Sequence, residues 1–461
     1  MASPDRSHPP HPSRLVCAGC GWTPAAGEVF PFRCTNTGRG DVDHVLEKQL
    51  FWREAGSPGF WREVFRRDDP NPFVRYRELL HSYHDARHWG LADADWVEVV
   101  RELDAKVRGV DGRAFVATPF VEAKALGEAL AVKGTGSIRV KDETGNVAGS
   151  HKSRHLMGVL LRLAAAQRAG VAPRDPLRLA IFSCGNAALA AATLARAAKL
   201  PLTVFVPTEA DAGVLERLRA LGAEVVKCER PPSVPGDPCR RRFHEAIASR
   251  GAIPFTVQGP ENSLAVEGGE TLAYEIVSTL LSEGESLDRL FVQVGGGALA
   301  SACVQALIGA HELGLLARLP RIHAVQTSGG APLARAWERF VDRFPHLPDR
   351  AARNDAVTWA AGHRSSFMWP WEEEPKSAAS GILDDETYDW LAVVHGMAET
   401  GGSALVVSEG DVIEATQIAR RSTGITVSPT GAAGLAGYLA ARRFDVVSPT
   451  EKVAVLFTGA G

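Results

Sequence analysis

An α/β fold is predicted for this 461-residue chain: two doubly wound parallel-sheet domains joined to a mainly helical N-terminal extension. Two observations predict it. From Leu177 onward, short β-rich runs alternate with longer helical ones, the rhythm of parallel strands wound with helices on both faces. Several Gly-containing turns also stand directly between an apolar run and a helical pattern.

Taken in order, residues 1 to about 115 carry many charges, several Trp and few β runs, and read as the helical extension. Met1–Arg14 is polar and reads as a disordered tail. Ser137–Val140 is a short apolar strand, and a helix begins near Leu156-Met157-Gly158-Val159-Leu160-Leu161. Leu177–Phe182 is a buried strand, Ala187–Lys199 an Ala-rich helix and Leu202–Val206 the next strand. Asp211 is the N-cap of a helix that Gly222 stops; Ala223–Val226 is a strand and Ser263–Ser282 a long amphipathic helix. Arg289–Val294 is a further strand, followed by a helix to about Leu313. Ile322–Gln326 and Val453–Phe457 complete the set of apolar strands. Pro345–Glu374, rich in Trp, Arg, Pro and Glu, reads as an irregular insertion of the kind that forms lids. The domains are thus 1–115 and 116–461, the second holding two α/β subdomains, the smaller at roughly 150–255.

Composition narrows the function. With 45% hydrophobic and 23% charged residues and a formal net charge of -3, the chain offers no electrostatic attraction for nucleic acid or a membrane surface. No run approaches the roughly eighteen apolar residues of a membrane span. Seven scattered Cys suit a reducing compartment, so a cytoplasmic location is expected.

Four motifs carry chemistry. Lys152 follows the turn Val147-Ala148-Gly149-Ser150-His151 and opens a helix. The helix dipole and partial burial both disfavour its charged form, and a neutral amine can form a Schiff base. Ser183-Cys184-Gly185-Asn186 lies between a strand and a helix, where backbone N–H groups converge on an anion such as a carboxylate. Gly295-Gly296-Gly297-Ala298-Leu299 repeats that placement, with glycines that let the backbone approach a phosphate. Thr458-Gly459-Ala460-Gly461 ends a buried strand; its hydroxyl is either a strand-end residue or a partner for a ring nitrogen. All three turn motifs follow strands, and ligands of open α/β sheets bind beyond the carboxyl ends of strands, so convergence on one cleft is predicted.

In order and spacing, these motifs resemble those of the fold type II pyridoxal-phosphate enzymes, which include threonine synthase, threonine and serine dehydratases and tryptophan synthase β. The resemblance covers Thr118–Gly461, opening on Thr118-Pro119. It implies a cofactor in the cleft between the two domains and a homodimer acting on a small amino acid. Lys152 would bind the cofactor as a Schiff base and move the substrate's α-proton. Asn186 would bond the cofactor's phenolic oxygen. The N–H groups of Gly295, Gly296, Gly297 and Ala298 would bind its phosphate, and Thr458 would face its pyridine nitrogen. Ser183, Cys184 and Gly185 would hold the substrate carboxylate. A hydroxyl facing the ring nitrogen leaves that nitrogen unprotonated, which suits elimination and replacement at Cβ or Cγ.

Glu267–Ile276 and Ser377–Ile382 resemble threonine synthase segments, whereas His151 before the Lys resembles tryptophan synthase β. Cys184 stands where the family's loop has Ser, and no basic residues mark a site for a phosphorylated substrate. The expected function is therefore a threonine synthase-like lyase. The alternatives are a threonine or serine dehydratase, β-replacement as in tryptophan synthase β, and a catalytically silent cofactor-binding sensor or scaffold. A nucleotide-dependent oxidoreductase is set aside, because Gly295–Leu299 lacks the dinucleotide spacing and no acidic residue ends the next strand at Val325-Gln326.

His151 reads equally as a contact to the cofactor phosphate or as core filling beside Lys152. Cys184 reads as a packing residue, with a helix-activated thiolate as the alternative. Arg240-Arg241-Arg242 and Glu372-Glu373-Glu374 read as solvated faces, and Trp359, Trp369 and Trp371 as a substrate lid or a subunit contact. Cys17-Ala18-Gly19-Cys20 has zinc-ligand spacing, but Cys34 lacks a near partner and only His44 follows as a fourth ligand. The segment resembles the zinc ribbon that opens many threonine synthases, and its expected state is a degenerate ribbon without metal.

Overall fold

The computed structural model describes residues 11–460, apart from 26, 52–55, 173–176 and 231–236. Gly461 and most of the tail read at Met1–Arg14 therefore lie outside the described residues, but Ser13 and Arg14 belong to a strand rather than to a tail.

Twelve strands make three sheets among the described residues. In chain order they are β1 Ser13–Cys17, β2 Leu46–Leu50, β3 Phe120–Glu122, β4 Ser137–Asp142, β5 Leu179–Phe182 and β6 Leu202–Pro207. β7 Glu224–Cys228, β8 Ile253–Pro254, β9 Arg289–Gln293, β10 Arg321–Thr327, β11 Ser403–Val407 and β12 Lys452–Phe457 follow. The larger sheet has the order β11-β10-β9-β12-β4-β3 and is parallel except for its edge strand β3. The smaller sheet, β7-β6-β5-β8, is wholly parallel. Every residue of β5 and of β9 is buried, as expected for strands covered on both faces.

The centre of the larger sheet joins the two ends of the region from Thr118 onward. β12 pairs with β4 so that Phe457 lies opposite Asp142, and the Glu143 N–H donates to the Phe457 carbonyl at 2.8 Å. The turn leading to Lys152 and the strand end carrying Thr458 thus leave the sheet side by side. The Lys152–Arg168 helix then crosses to the smaller sheet, where Leu156 and Leu160 share a core with Ala188 and Ile181.

Three sequence expectations are corrected. β11 is an additional strand, which Ser403-Ala404-Leu405-Val406-Val407 signals weakly because it is only partly buried at the sheet edge and follows two glycines. Pro345–Glu374 contains the helix Arg350–Ala361, capped by Asp349. The N-terminal extension adds the antiparallel β1–β2 pair to its helices. It is also integrated with the rest: Trp61 and Phe65 share a core with Leu272, and Trp96 and Leu103 share one with Leu160.

Local charge explains the side features. Arg240 bonds Glu261 at 2.9 Å, so the basic run is not wholly solvated. The guanidinium of Arg335 lies 3.7 Å from the Trp369 ring centroid and that of Arg343 4.1 Å from Trp359, which accounts for two of the insertion's tryptophans by cation–π packing. No helix among the described residues is long and apolar enough to cross a membrane.

Candidate active site

The turn after β4 sets Lys152. Gly149 takes φ +71, a left-handed conformation natural to glycine, and accepts at its carbonyl from the Ala460 N–H at 3.0 Å. Ser150 bridges Gly459, and the His151 N–H donates to the Thr458 carbonyl at 3.1 Å. The helix starting at Lys152 is anchored by Arg154, which is fully buried. Its guanidinium bonds Glu143 at 2.8 Å and Glu275 at 2.6 Å, while the Lys141 amine completes the cluster at Glu275 and bonds the Thr118 carbonyl at 2.7 Å. Two cations and two carboxylates make a neutral buried unit that ties β4, this helix and the Leu264–Glu283 helix together.

Lys152 is half-buried, and desolvation is the leading cause that lowers its pKa; the carboxylates of Asp384 and Asp389 oppose the shift. The amine is therefore biased toward its neutral form, more by burial than by the helix dipole. His151 is neutral, since burial first and Lys152 second push its pKa well below the usual value. Its Nδ1 lies 3.1 Å from the Thr458 carbonyl, which can only accept, so Nδ1 carries the proton. Nε2 is then a bare acceptor without a partner among the described residues, a tautomer unsuited to donating to a phosphate.

The glycine loop follows β9. Gly297 has φ +96 and caps the Ala298–Glu312 helix, and a Cβ on Gly295 would stand 2.4 Å from Asp384 Oδ2. The Gly296 N–H faces the Asp384 carboxylate, and the Gly296 carbonyl accepts from the Asp389 N–H at 2.9 Å. Thr458 Oγ1 accepts from Gln293 Nε2 at 2.8 Å. That nitrogen also meets the carbonyls of Gly431 and Thr430, which fixes the amide's orientation and leaves the Thr458 proton free to be donated. Asn186 opens the Asn186–Ala198 helix, and a Cβ on Gly459 would lie 3.1 Å from its Nδ2. Ser183, Cys184 and Gly185 form the loop before it, and the Cys184 thiol feels the charges of Asp384 and Asp237. Cys184 is exposed, so its reading as a packing residue is corrected; its thiol pKa is raised, by desolvation first and then by these carboxylates, which also disfavours the helix-activated thiolate.

Lys152, Asn186, the glycine loop and Thr458 thus meet at one place, although 306 positions separate Lys152 from Thr458 (458 − 152). The sequence reading missed Asp384, Asp389, Gln293 and the Arg154 cluster. Gln293 alone carried a signal, a polar side chain ending the apolar run Leu290-Phe291-Val292 two residues before the glycines.

The residues fit pyridoxal phosphate. The site offers an amine with lowered pKa, an N–H at the glycine loop already facing an anion, a free hydroxyl proton at the strand end, and the unpaired buried Ser150 Oγ.

The two carboxylates set a pH dependence. Burial, ahead of all other influences, raises Asp384 to about 6 and Asp389 to about 7. Both folded values exceed the unfolded value near 4. Their stabilising contribution is therefore complete below about pH 4 and is lost as pH rises toward 7. These two carboxyls should by themselves cost the cofactor-free chain on the order of a few kcal/mol between pH 5 and pH 8, against the opposite contribution of buried neutral histidines such as His81 and His155. Asp384→Asn and Asp389→Asn are therefore expected to gain stability on the parent as pH rises from 5 to 8 in urea titrations; a parent–variant difference that does not change with pH in both would refute the assignment.

Comparison with known proteins agrees with this architecture. A family model described as pyridoxal-phosphate dependent enzyme matches residues 113–459. The threonine synthase of Mycobacterium tuberculosis is 26% identical over 347 residues, 75% of this chain and 81% of that protein. That of Synechocystis sp. is 26% identical over 392 residues, 84% of this chain and 83% of that protein. Among solved structures, the threonine deaminase of T.th. aligns with TM-score 0.56 at 21% identity, covering 78% of this chain and 98% of that one. Diaminopropionate ammonia lyase from Escherichia coli aligns with TM-score 0.56 at 14% identity, covering 79% and 88%.

Proposed function

This chain belongs to the pyridoxal-phosphate-dependent enzyme family, and on that premise we propose that it eliminates or replaces a side-chain group of a small amino acid, as a threonine synthase-like lyase. The observation that carries the reading is the desolvated Lys152 amine beside the Gly296 N–H and the free proton of the Thr458 hydroxyl.

Lys152 would hold the cofactor, and the N–H groups of Gly295, Gly296, Gly297 and Ala298 would hold its phosphate once the Asp384 carboxylate moves aside. Asn186 would bond the phenolic oxygen. When bound, the cofactor withdraws electrons from the substrate's Cα. Thr458 would donate a hydrogen bond from its hydroxyl to the ring nitrogen without transferring the proton, since a hydroxyl is a weak acid. That keeps the electron demand modest and favours loss of a group from the side chain. Lys152, as a neutral amine, would take the α-proton and could return it. Ser183, Cys184 and Gly185 hold the substrate carboxylate at the helix end of the smaller sheet. Asp389 and Tyr388, packed on the glycine loop, help close the site to water.

A second reading has its own observation. Asp237, Asp384 and Asp385 lie close enough to act on one another at this side of the site, with Arg230 as the nearby cation, while Glu386 is paired with Arg364 and Arg240 is engaged by Glu261. That surplus of negative charge repels a phosphate leaving group and favours an unphosphorylated substrate, as in serine or threonine dehydration.

Absorption spectroscopy of the protein mixed with pyridoxal phosphate tests the reading. A visible band is expected that borohydride abolishes, with the reduced pyridoxyl group mapped to Lys152. Phosphohomoserine is expected to shift that band and release phosphate. Serine and threonine releasing a keto acid at least tenfold faster than phosphohomoserine releases phosphate would select the second reading instead, and no band would sink both readings.

A further inference from the structure

A groove of about 680 Å³ opens between the N-terminal extension and the smaller sheet. It lies where β6 and β7 begin, and since that sheet is parallel, this is the end opposite to the Ser183–Gly185 loop, which follows β5. Lys106 and Val110, one helical turn apart, reach it from the Asp93–Asp111 helix of the extension. Arg196 and Lys199 reach it from the last turn and the cap of the Asn186–Ala198 helix, and Leu221 and Gly222 close it from the turn before β7. The two helical walls are packed together, because Leu103 and Val107 share a core with Leu194 and Ala195.

The lining has two parts. Ala192, Ala195, Leu202 and Leu221 give it an apolar floor, joined by Val110, a large aliphatic side chain left 36% exposed. Lys106, Arg196 and Lys199 form the rim; all three are exposed, and none pairs with a carboxylate among the described residues. No acidic, hydroxyl or amide side chain lines the groove among the described residues. Three uncompensated positive charges thus stand together on a chain whose formal net charge is -3.

Position 199 is held against a conformational preference. The Asn186–Ala198 helix ends on Lys199 in the left-handed region, at φ +56. The helices that end at Gly112, Gly251, Gly284, Gly401 and Gly424 use the same conformation with glycine, which has no Cβ to clash. A lysine there strains the backbone. Arg196, one turn earlier, already complements the negative end of the helix, so capping alone does not call for a second cation. What the lysine adds is an ammonium group at the edge of the groove.

We propose that this groove binds an organic phosphate with an apolar body, separate from the cofactor, and that its occupancy is transmitted to the cleft. A phosphate dianion suits the rim: Arg196 offers a planar fork to two of its oxygens, and Lys106 and Lys199 act as point charges. A monocarboxylate would leave two of the three cations uncompensated. The floor offers carbon surface and no hydrogen-bonding side chain, so a ligand body rich in hydroxyl or amide groups would lose its water partners there without replacement. Transmission follows from one element. The helix that ends at the groove begins at Asn186, directly after Ser183-Cys184-Gly185, and its 13 residues span roughly 20 Å. A ligand touching Lys106 and Lys199 together ties that helix to the extension and restrains the loop at its other end.

The test uses the full chain, loaded with pyridoxal phosphate and freed of excess, with 1-naphthyl phosphate as the probe in equilibrium dialysis. Saturable binding of one probe per chain is expected. Arg196→Glu/Lys199→Glu should weaken it at least tenfold, with circular dichroism unchanged because both side chains are exposed. Neutral 1-naphthol and inorganic phosphate should each bind at least tenfold more weakly than the probe, and 1-naphthoate at least threefold. Hydrogen exchange of residues 183–190 should slow at least threefold when the probe binds the parent, and stay as it was in the variant. A variant that binds as tightly as the parent, or 1-naphthol that binds as well as the phosphate, overturns the site. Equal binding of 1-naphthoate overturns the dianion, and unchanged exchange in the saturated parent overturns the transmission. If the charge reversals dissociate an oligomer in sedimentation, the groove is a contact between copies of the chain and the proposal fails. The variant locates the probe whether or not Lys152 holds the cofactor, so these outcomes are separate from the reading of the cleft.

Discussion

Replacing Lys152 by alanine is expected to lower amino-acid turnover by ~10³-fold or more, because it removes both the group that would hold the cofactor and the base that would move the α-proton. The chain should nevertheless fold, since Lys152 is only half-buried and makes no hydrogen bond that the fold depends on. Lys152→Arg should be equally inactive, because a guanidinium stays protonated at any accessible pH and forms no Schiff base. The measurement is steady-state turnover with circular dichroism as the control for folding. An alanine variant within tenfold of the parent would sink the assignment of both roles to Lys152.

Removing the Arg154 guanidinium has the largest expected effect on stability. Burial alone would raise the Glu143 carboxyl, but the charges of Arg154 and Lys141 overrule it and hold it at about 2. Arg154→Met leaves Glu143 and Glu275 buried with Lys141 as their one cation, and should cost about 3–5 kcal/mol in urea unfolding. Arg154→Lys should recover only part of that, because one ammonium cannot span the carboxylates that the planar guanidinium bridges. A loss below about 1 kcal/mol in Arg154→Met would show that the cluster is not what fixes the Lys152 helix. Together the variants separate two neighbours on one helix, the first acting at the reaction and the second holding the first in place.

Several features were legible in the chain before any coordinates. Strand and helix runs from Leu177 to Leu313 appear where their apolar periodicity put them, and the Asp211 cap bonds the Val214 N–H at 2.9 Å as its position implied. Gly-rich turns between strand and helix can be read locally, because a φ such as the +96 of Gly297 admits few other residues. β11 and the Arg350–Ala361 helix were not legible, since a half-buried edge strand and a charged surface helix carry weak periodic signals.

What the sequence determined by itself is what depends on near neighbours: the alternation of elements, the turns, and the residue types that make Lys152, Asn186, the glycine loop and Thr458 a recognisable set. What only the tertiary structure decided is everything that requires distant segments to meet. Asp384 and Asp389 are unremarkable acids in the chain and become raised, buried carboxyls only once folding sets them beside Gly296 and Lys152. His44 stands 3.6 Å from Cys17 Sγ because two antiparallel strands return it there. The direction of each pKa shift follows from desolvation and from charges across the fold, and neither quantity exists until the core has excluded water.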